Sequence, residues 1–101
     1  METLLKKYPD HVPVILKRNG KNTDVPEISS GKFLVPKTTE MRELQGILRK
    51  KINIDSKKAI FIFVGDGILV PLNKTMNEMY ELYKSDDHVL YVTYTSENTF
   101  G

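Results

Sequence analysis

The pattern of hydrophobic and polar positions divides the 101-residue chain into short strands and two amphipathic helices. Apolar stretches rich in β-branched residues predict extended segments. These predicted strands cover 12–16, 32–35, 59–64, 68–72 and 89–94. Pro13 favours an edge position or a bulge for the first strand, because proline lacks the N–H that a central strand needs. The run 59–64 contains no polar residue and predicts a central strand buried on both faces.

The helices are predicted by apolar residues that recur at steps of three and four. In the first helix this apolar stripe consists of Met41, Leu44, Ile47, Leu48 and Ile52. Thr38 or Thr39 is the expected cap at its start. In the second helix, Thr75 and Glu78 fit a capping box that precedes the apolar residues of 76–83.

The order of these elements is strand, strand, helix, strand, short strand, short helix, strand. It predicts an α+β roll in which the helix covers one face of the sheet and leaves the other partly open. The last strand is expected to return beside the first strand, in parallel. The chain is too short for a second core. We expect a short N-terminal helical stub at 1–7, the folded domain at 8–94, and a flexible C-terminal tail at 95–101.

Composition and motifs exclude several classes of function. The formal net charge of +2 is too small to indicate nucleic acid as the main partner. The absence of cysteine excludes a disulfide framework and a thiolate nucleophile. His11 and His88 are far apart in the sequence, and no third metal ligand accompanies either of them. No phosphate-binding loop or nucleophile elbow is present. We therefore expect a protein that is not an enzyme and has no catalytic residue, metal or cofactor.

The C-terminal segment 94–100 predicts an extended, accessible tail that ends at Gly101. A terminal glycine has no Cβ, so its carboxylate can enter a narrow enzyme channel and be activated there. A protein needs this property if its own C-terminus is to become an acyl group joined to an amine. Many chains also end at glycine by accident, so Gly101 alone does not decide the function.

Several segments together resemble the autophagy-related ubiquitin-like modifiers, the family that includes GABARAP. These segments are 7–15 (KYPDHVPVI), 25–28 (VPEI), 32–36 (KFLVP), 47–52 (ILRKKI), 58–64 (KAIFIFV), 90–94 (LYVTY) and 96–101 (SENTFG). They occur in the family's order, and the last segment is nearly diagnostic. The resemblance implies a ubiquitin-like β-grasp roll. It also implies a truncated N-terminal helical extension, because the family usually carries helices where this chain has only the stub.

The resemblance implies that Gly101 is adenylated by an activating enzyme, passed to a conjugating enzyme as a thioester, and joined to phosphatidylethanolamine. A processing or delipidating cysteine protease is a further implied partner. The protein would be cytoplasmic, and would lie on the autophagosome membrane when lipidated. Two alternatives stay open: a modifier conjugated to a protein lysine, and a non-conjugated peptide-binding module.

The resemblance also implies a groove for receptors with aromatic-x-x-aliphatic motifs, which would add a strand beside 32–35. The aromatic pocket would use Pro13, Ile15, Lys32, Leu34 and Val89. Leu4 is a further candidate there. The aliphatic pocket would use Phe33, Val35, Pro36, Leu44, Ile47 and Leu48. Arg49 and Lys51 would contact acidic residues that flank the motif. We expect Ile47 and Leu48 to be partly exposed. The family usually has a bulky aromatic residue in place of Val89, and valine would enlarge or flatten the aromatic pocket.

Overall fold

The computed structural model describes residues 6–19, 26–28, 31–54, 59–65 and 67–96. Its strands are β1 (His11–Arg18), β2 (Lys32–Pro36), β3 (Phe61–Val64), β4 (Ile68–Leu69) and β5 (Leu90–Thr95). Its helices include α1 (Met41–Ile52) and α2 (Met76–Tyr83), and Lys6 and Lys7 are helical as well. The strands form one sheet in the order β2-β1-β5-β3-β4. β1 and β5 run parallel, and the other neighbours are antiparallel. The predicted α+β roll, with the last strand parallel to the first, is confirmed.

The two faces of the sheet have different surroundings. Because side chains alternate along a strand, and residues paired across strands share a face, the register assigns each residue to one face. On β1, Val12, Val14 and Leu16 are at most 2% exposed and belong to the same core cluster as α1 and α2. We name this side the helix face. The opposite side, which carries Ile15 and Lys17, is the outer face.

Pro13 does not mark an edge strand, and that prediction is wrong. β1 lies between β2 and β5. The physical reason is the register: the parallel pairing with β5 begins only at Val14, so Pro13 pairs with Leu34 of β2 and lies one residue before the ladder with β5. The missing N–H of proline therefore removes no bond to β5.

The start of α1 also differs from the prediction. The N-cap residue is Glu40, not Thr38 or Thr39. The N–H of Glu40 donates to Oε1 of Glu43 at 3.3 Å, and the carbonyl of Thr39 accepts from the N–H of Met76 at 2.7 Å. Thr39 therefore connects the two helix starts instead of capping one of them. The capping box of α2, formed by Thr75 and Glu78, is confirmed.

The central position of β3 is confirmed, and β5 lies one residue later than the predicted 89–94. Ile62, Phe63 and Val64 are 1%, 3% and 1% exposed, so both faces of β3 are buried. Thr95 pairs with Phe61 and is only 2% exposed, so the accessible tail does not include Tyr94 or Thr95. The tail residues 97–101, including Gly101, and the pocket candidate Leu4 lie outside the described residues.

Candidate peptide-binding site

β2 is an edge strand, and within the described part of the chain no strand pairs with its free edge. It stands at one end of the sheet and pairs only with β1. Both of its ends are fixed to β1. The N–H of Leu16 donates to the carbonyl of Gly31 at 2.7 Å, and the N–H of Lys37 donates to the carbonyl of Asp10 at 2.9 Å. An edge strand held in this way presents backbone donors and acceptors to a further strand.

The predicted aromatic-pocket residues lie together on the outer face. Pro13 pairs with Leu34, and Ile15 pairs with Lys32. Because Val14 pairs with Leu90, the residues before them, Pro13 and Val89, are also neighbours. Pro13 and Val89 are buried, Ile15 and Leu34 are half-buried, and Lys32 is exposed. The structure therefore forms one apolar patch from these residues, with a buried floor and accessible sides.

The predicted aliphatic-pocket residues, with the exception of Pro36, lie on the other side of β2, toward α1. Pro36 pairs with His11 and therefore lies on the outer face. The register places Phe33 and Val35 on the helix face. Three residues of the set are core, namely Val35 at 5% exposure and Leu44 and Leu48 at 0%. The other three, Phe33, Ile47 and Pro36, are half-buried or exposed.

The expectations for the exposure of Ile47 and Leu48 have different outcomes. Ile47 is 37% exposed, so the expectation of partial exposure is confirmed for this residue. It is wrong for Leu48, which is fully buried. Leu48 lies one turn after Leu44 on the stripe that faces the sheet, whereas Ile47 lies at the border of that stripe. Leu48 can therefore support the pocket from below but cannot contact a ligand directly.

One cation of α1, Lys51, lies beside Phe33 of this second patch. The Nζ of Lys51 is 5.8 Å from the ring centroid of Phe33, within the range of a cation–π contact. Nη1 of Arg49 is shielded from water and has no hydrogen-bond partner among the described residues. A shielded donor without a partner carries a desolvation cost, which a carboxylate of a ligand would remove. Lys51 suits an acidic residue beside Phe33, whereas Arg49, two residues earlier on α1, lies about 200° away from Lys51 around the helix axis.

Tyr91 is a residue of the outer-face patch that the sequence-based prediction missed. It pairs with Ile15 and is 45% exposed. Its O–H donates to Oδ2 of Asp87 at 2.7 Å. The pKa of Asp87 is lowered, first by a hydrogen bond from Ser85 and then by the one from Tyr91. The bond to Asp87 also raises the pKa of Tyr91. Strand alternation could have found Tyr91, since it lies two residues after Val89 on the same face.

A separate apolar cavity lies at the other end of the sheet. It has a volume of about 210 Å³ and opens between α1, β3 and β4. Its lining consists of Gln45, Ile60, Phe61, Ile62, Leu69, Val70 and Leu72. Nε2 of Gln45 donates to the carbonyl of Ile60 at 2.6 Å and so joins the helix to the segment before β3. This cavity is separated from β2 by β1 and β5, so it is not part of the predicted groove.

The chemistry of the β2 region is that of a binding surface. It combines an open strand edge, apolar residues on each face and the cation of Lys51. Across the residues that the structure describes, no group of histidines and carboxylates is arranged to hold a metal ion.

Comparison with known proteins places this chain among autophagy proteins of the Atg8 type. The family model described as "Autophagy protein Atg8 ubiquitin like" matches residues 1–101. The chain is 44% identical over 96 residues to Autophagy-related protein 8e of Arabidopsis thaliana, covering 95% of this chain and 77% of that protein. It is 42% identical over 100 residues to Autophagy-related protein 8 of Schizosaccharomyces pombe, covering 99% and 81% of the two chains.

A solved structure gives the same result for the fold. The crystal structure of Trypanosoma brucei ATG8 matches with a TM-score of 0.88 at 30% sequence identity. The match covers 99% of this chain and 84% of that one. The predicted ubiquitin-like fold is therefore confirmed.

Proposed function

Because the chain belongs to the Atg8 family of ubiquitin-like autophagy proteins, we propose that it is a lipid-conjugated modifier that recruits receptors and adaptors to autophagosomal membranes. In this proposal Gly101 is activated, transferred as a thioester and joined to phosphatidylethanolamine. Two buried acyl chains, each gaining about 0.8 kcal/mol per methylene, anchor a domain firmly. The anchor would be the lipid itself, since no helix within the described ranges is long and apolar enough to span a bilayer.

The observation that carries the receptor-binding part is that the open edge strand β2 has an apolar patch on each of its faces. A peptide that extends the sheet sends its successive side chains to opposite faces. Residues three apart, as in aromatic-x-x-aliphatic, therefore point to opposite faces. The aromatic side chain would reach the outer-face patch of Ile15 and Leu34, and the aliphatic one would reach the helix face at Phe33. In this proposal the exposed Ile47 contributes to the second pocket. The spacing of the motif and the geometry of β2 are thus complementary.

The expected affinity follows from the burial of two apolar side chains. Each contributes about 1.5–3 kcal/mol, and together with strand hydrogen bonds this gives binding in about the micromolar range. Arg49 and Lys51 bind acidic residues that flank the motif. Lys51 is exposed, and exposed ion pairs contribute only about 0–1 kcal/mol each, so we expect its effect to decrease with salt.

Conjugation is tested by incubating the full chain with activating and conjugating enzymes, ATP and liposomes that contain phosphatidylethanolamine. Mass spectrometry should find the lipid headgroup on Gly101. Gly101→Ala should form no adduct, whereas Gly46→Ala, the same change on α1, should be conjugated normally. A branched peptide on a lysine would instead support a protein-conjugated modifier. If no adduct of any kind forms, the non-conjugated binding module is the alternative that remains.

The groove is tested with two synthetic peptides that have the same composition. One carries its aromatic and aliphatic residues three positions apart, and the other carries them two apart, so that both would point to one face. The second peptide should bind about 10-fold more weakly or worse, since one apolar side chain loses its pocket.

The chain variants for this test are Ile47→Ala, which should weaken the first peptide, and Leu82→Ala as control. Leu82 is 71% exposed and lies on α2, away from β2. NMR shifts on titration should concentrate at 32–35 and Ile47. Equal affinities for the two peptides, or shifts confined to β3 and β4, would contradict the groove.

A further inference from the structure

The C-terminal tail leaves the domain from one end of the sheet. β1 and β5 run parallel and finish together at this end, since Arg18 pairs with Tyr94. β2 and β3 run the other way and begin there, with Lys32 and Phe61 as their first residues. We name it the tail end, because Ser96, the last described residue, follows directly after β5.

The last turn of α1 also lies at the tail end. The helix begins a few residues after Pro36, at the opposite end of the sheet, where its start is joined to that of α2. Midway along the helix, Nε2 of Gln45 already reaches the carbonyl of Ile60, just before β3. The residues that follow therefore continue toward the tail end, and this last turn of α1 carries Arg49, Lys50 and Lys51.

Positive charge collects at the tail end. The described cations there are Lys17, Arg18, Lys32, Arg49, Lys50 and Lys51. Among the described carboxylates, only Glu27 is near them, since both Arg18 and Glu27 act on the phenol of Tyr94. The remaining carboxylates of the described ranges lie on α2 or toward the opposite end of the sheet, namely Asp10, Glu40, Glu43, Glu78, Glu81, Asp86 and Asp87.

Ion pairing differs between the two ends in the same way. Away from the tail end, three cations each pair with a carboxylate, at 3.2, 3.5 and 3.5 Å, namely Arg42, Lys74 and Lys84. At the tail end, the exposed lysines form no ion pair within the described residues, and they are Lys17, Lys32, Lys50 and Lys51. The dipole of α1 favours cations in its last turn. It does not account for Lys17 and Lys32, which lie on strands.

We propose that the tail end is a membrane-facing surface that contacts anionic phospholipid headgroups once the chain is conjugated through Gly101. This inference rests on the proposed function, because the conjugated lipid holds this end at the bilayer. Five residues, 97–101, separate Ser96 from the lipid, and five residues span at most about 18 Å. A tail of this length lets the lysines approach the headgroups to within a Debye length, about 8–10 Å.

The contact makes the conjugated domain prefer an anionic bilayer and one orientation on it. Each lysine close to an anionic surface strengthens the contact by about fivefold. With the tail end toward the bilayer, the strands stand upright on the membrane. The free edge of β2 then faces sideways along its whole length and remains open to receptors.

The test couples the full chain to vesicles chemically, so that it does not depend on conjugating enzymes. The chain contains no cysteine, so Gly101→Cys can be joined at a single position to a lipid with a maleimide headgroup. The vesicles are either neutral phosphatidylcholine or contain about one-third phosphatidylserine. An acetylating reagent modifies the exposed lysines, and mass spectrometry gives the rate at each one. The protection of a lysine is its rate on neutral vesicles divided by its rate on anionic vesicles.

Protection should be about threefold or more at Lys17 and Lys50. It should stay near one at Lys74 and Lys84, away from the tail end, and should fall to near one everywhere at about 1 M salt, where the Debye length is about 3 Å. Lys17→Gln/Lys50→Gln should reduce the protection of Lys51 by about half or more. Lys74→Gln/Lys84→Gln removes the same charge and should leave that protection unchanged.

Three outcomes would overturn the inference. One is equal protection at both ends of the sheet, and another is no protection at Lys17 and Lys50 at about 0.1 M salt. The third is equal protection of these lysines by a soluble polyglutamate peptide on neutral vesicles, which would make an acidic protein segment the partner. Enzymatic conjugation is measured separately: if Gly101 is conjugated but the lysines are not protected, only this inference fails, whereas a chain that the enzymes do not conjugate contradicts the proposed function.

Discussion

Glu40 and Thr75, the N-cap residues of α1 and α2, face each other in an isolated antiparallel bridge. The backbone bonds around them are reciprocal. The N–H of Met41 donates to the carbonyl of Lys74 at 2.8 Å, and the N–H of Met76 donates to the carbonyl of Thr39 at 2.7 Å. Each helix start thus satisfies a donor that would otherwise lack an intrahelical partner. The two helices share one anchor, and a change in it affects both.

Replacing Thr75 by alanine tests the side-chain cap of α2 at this anchor. The Thr75 hydroxyl oxygen accepts from the N–H of Glu78 at 3.3 Å, and alanine leaves that donor without its cap. We expect the free energy of unfolding to fall by about 1 kcal/mol, measured by urea denaturation. Thr75→Ser keeps the hydroxyl and should recover most of the loss. Equal destabilisation by both variants would show that the methyl group of Thr75, and not its cap, is what matters.

The sequence predicted the elements well because their hydrophobic patterns are strong and local. The apolar run of β3 and the stripe of α1 each specify one kind of structure. The parallel return of β5 beside β1 follows from the element order and the need to bury both strands. The cap of α1 was not predictable in the same way. Thr39 looks like a cap in isolation, but its carbonyl accepts from Met76, a residue distant in the sequence.

Sequence-based prediction of the candidate site is limited in the same way. On α1, Ile47 and Leu48 are equivalent members of one apolar stripe, and the sequence does not say which of them lies at its border. The rotation of the helix against the sheet decides this, and it makes Leu48 core and Ile47 surface. Similarly, the role of Tyr91 depends on the direction of its ring, which Asp87 sets through a bond across a turn. Periodicity assigns a face, whereas exposure within that face depends on tertiary contacts.

His88 lies in the turn before β5 with a left-handed backbone, at φ 63°. This conformation costs a residue with a Cβ about 1–2 kcal/mol, and glycine avoids the cost while losing about 0.5–1 kcal/mol of entropy on folding. His88→Gly should therefore raise the free energy of unfolding by up to about 1 kcal/mol. His88→Ala keeps the Cβ and should give no gain. Urea denaturation should give a higher free energy of unfolding for His88→Gly than for His88→Ala. If the alanine variant is the more stable one, the left-handed backbone of His88 is not strained.

Gly31 and Gly46 form a matched pair for the same substitution. A Cβ on Gly31 would overlap the backbone oxygen of Leu16, whereas a Cβ on Gly46 would meet nothing within 4 Å. Gly31→Ala must push β2 away from β1 and should cost about 2–3 kcal/mol or more. Gly46→Ala should stabilise α1 by about 0.5–1 kcal/mol. Denaturation midpoints measure both, and a tolerated Gly31→Ala would mean that β2 shifts easily against β1.

Tyr94 connects the segment 26–28 to β5 through its hydroxyl group. The N–H of Ile28 donates to the phenol oxygen at 2.8 Å, and the O–H donates to the carbonyl of Pro26 at 2.7 Å. The side chain is fully buried. Tyr94→Phe removes both hydrogen bonds, each of which contributes about 0.5–1.5 kcal/mol, so we expect a loss of about 1–3 kcal/mol. Tyr83→Phe, whose residue is half-buried on α2, serves as the control.

The same residue makes stability depend on alkaline pH. Burial raises the pKa of Tyr94 above its ordinary value, so in the alkaline range the unfolded chain loses this proton before the folded chain does. The contribution of Tyr94 to stability is therefore complete below the ordinary tyrosine pKa of about 10. It is lost as the pH rises from there through the raised pKa. Urea denaturation across this range should show a steeper loss for the wild-type chain than for Tyr94→Phe. Because Tyr80 and Tyr91 also have a raised pKa, only the difference between the two curves reports on Tyr94, and parallel curves would contradict its assignment.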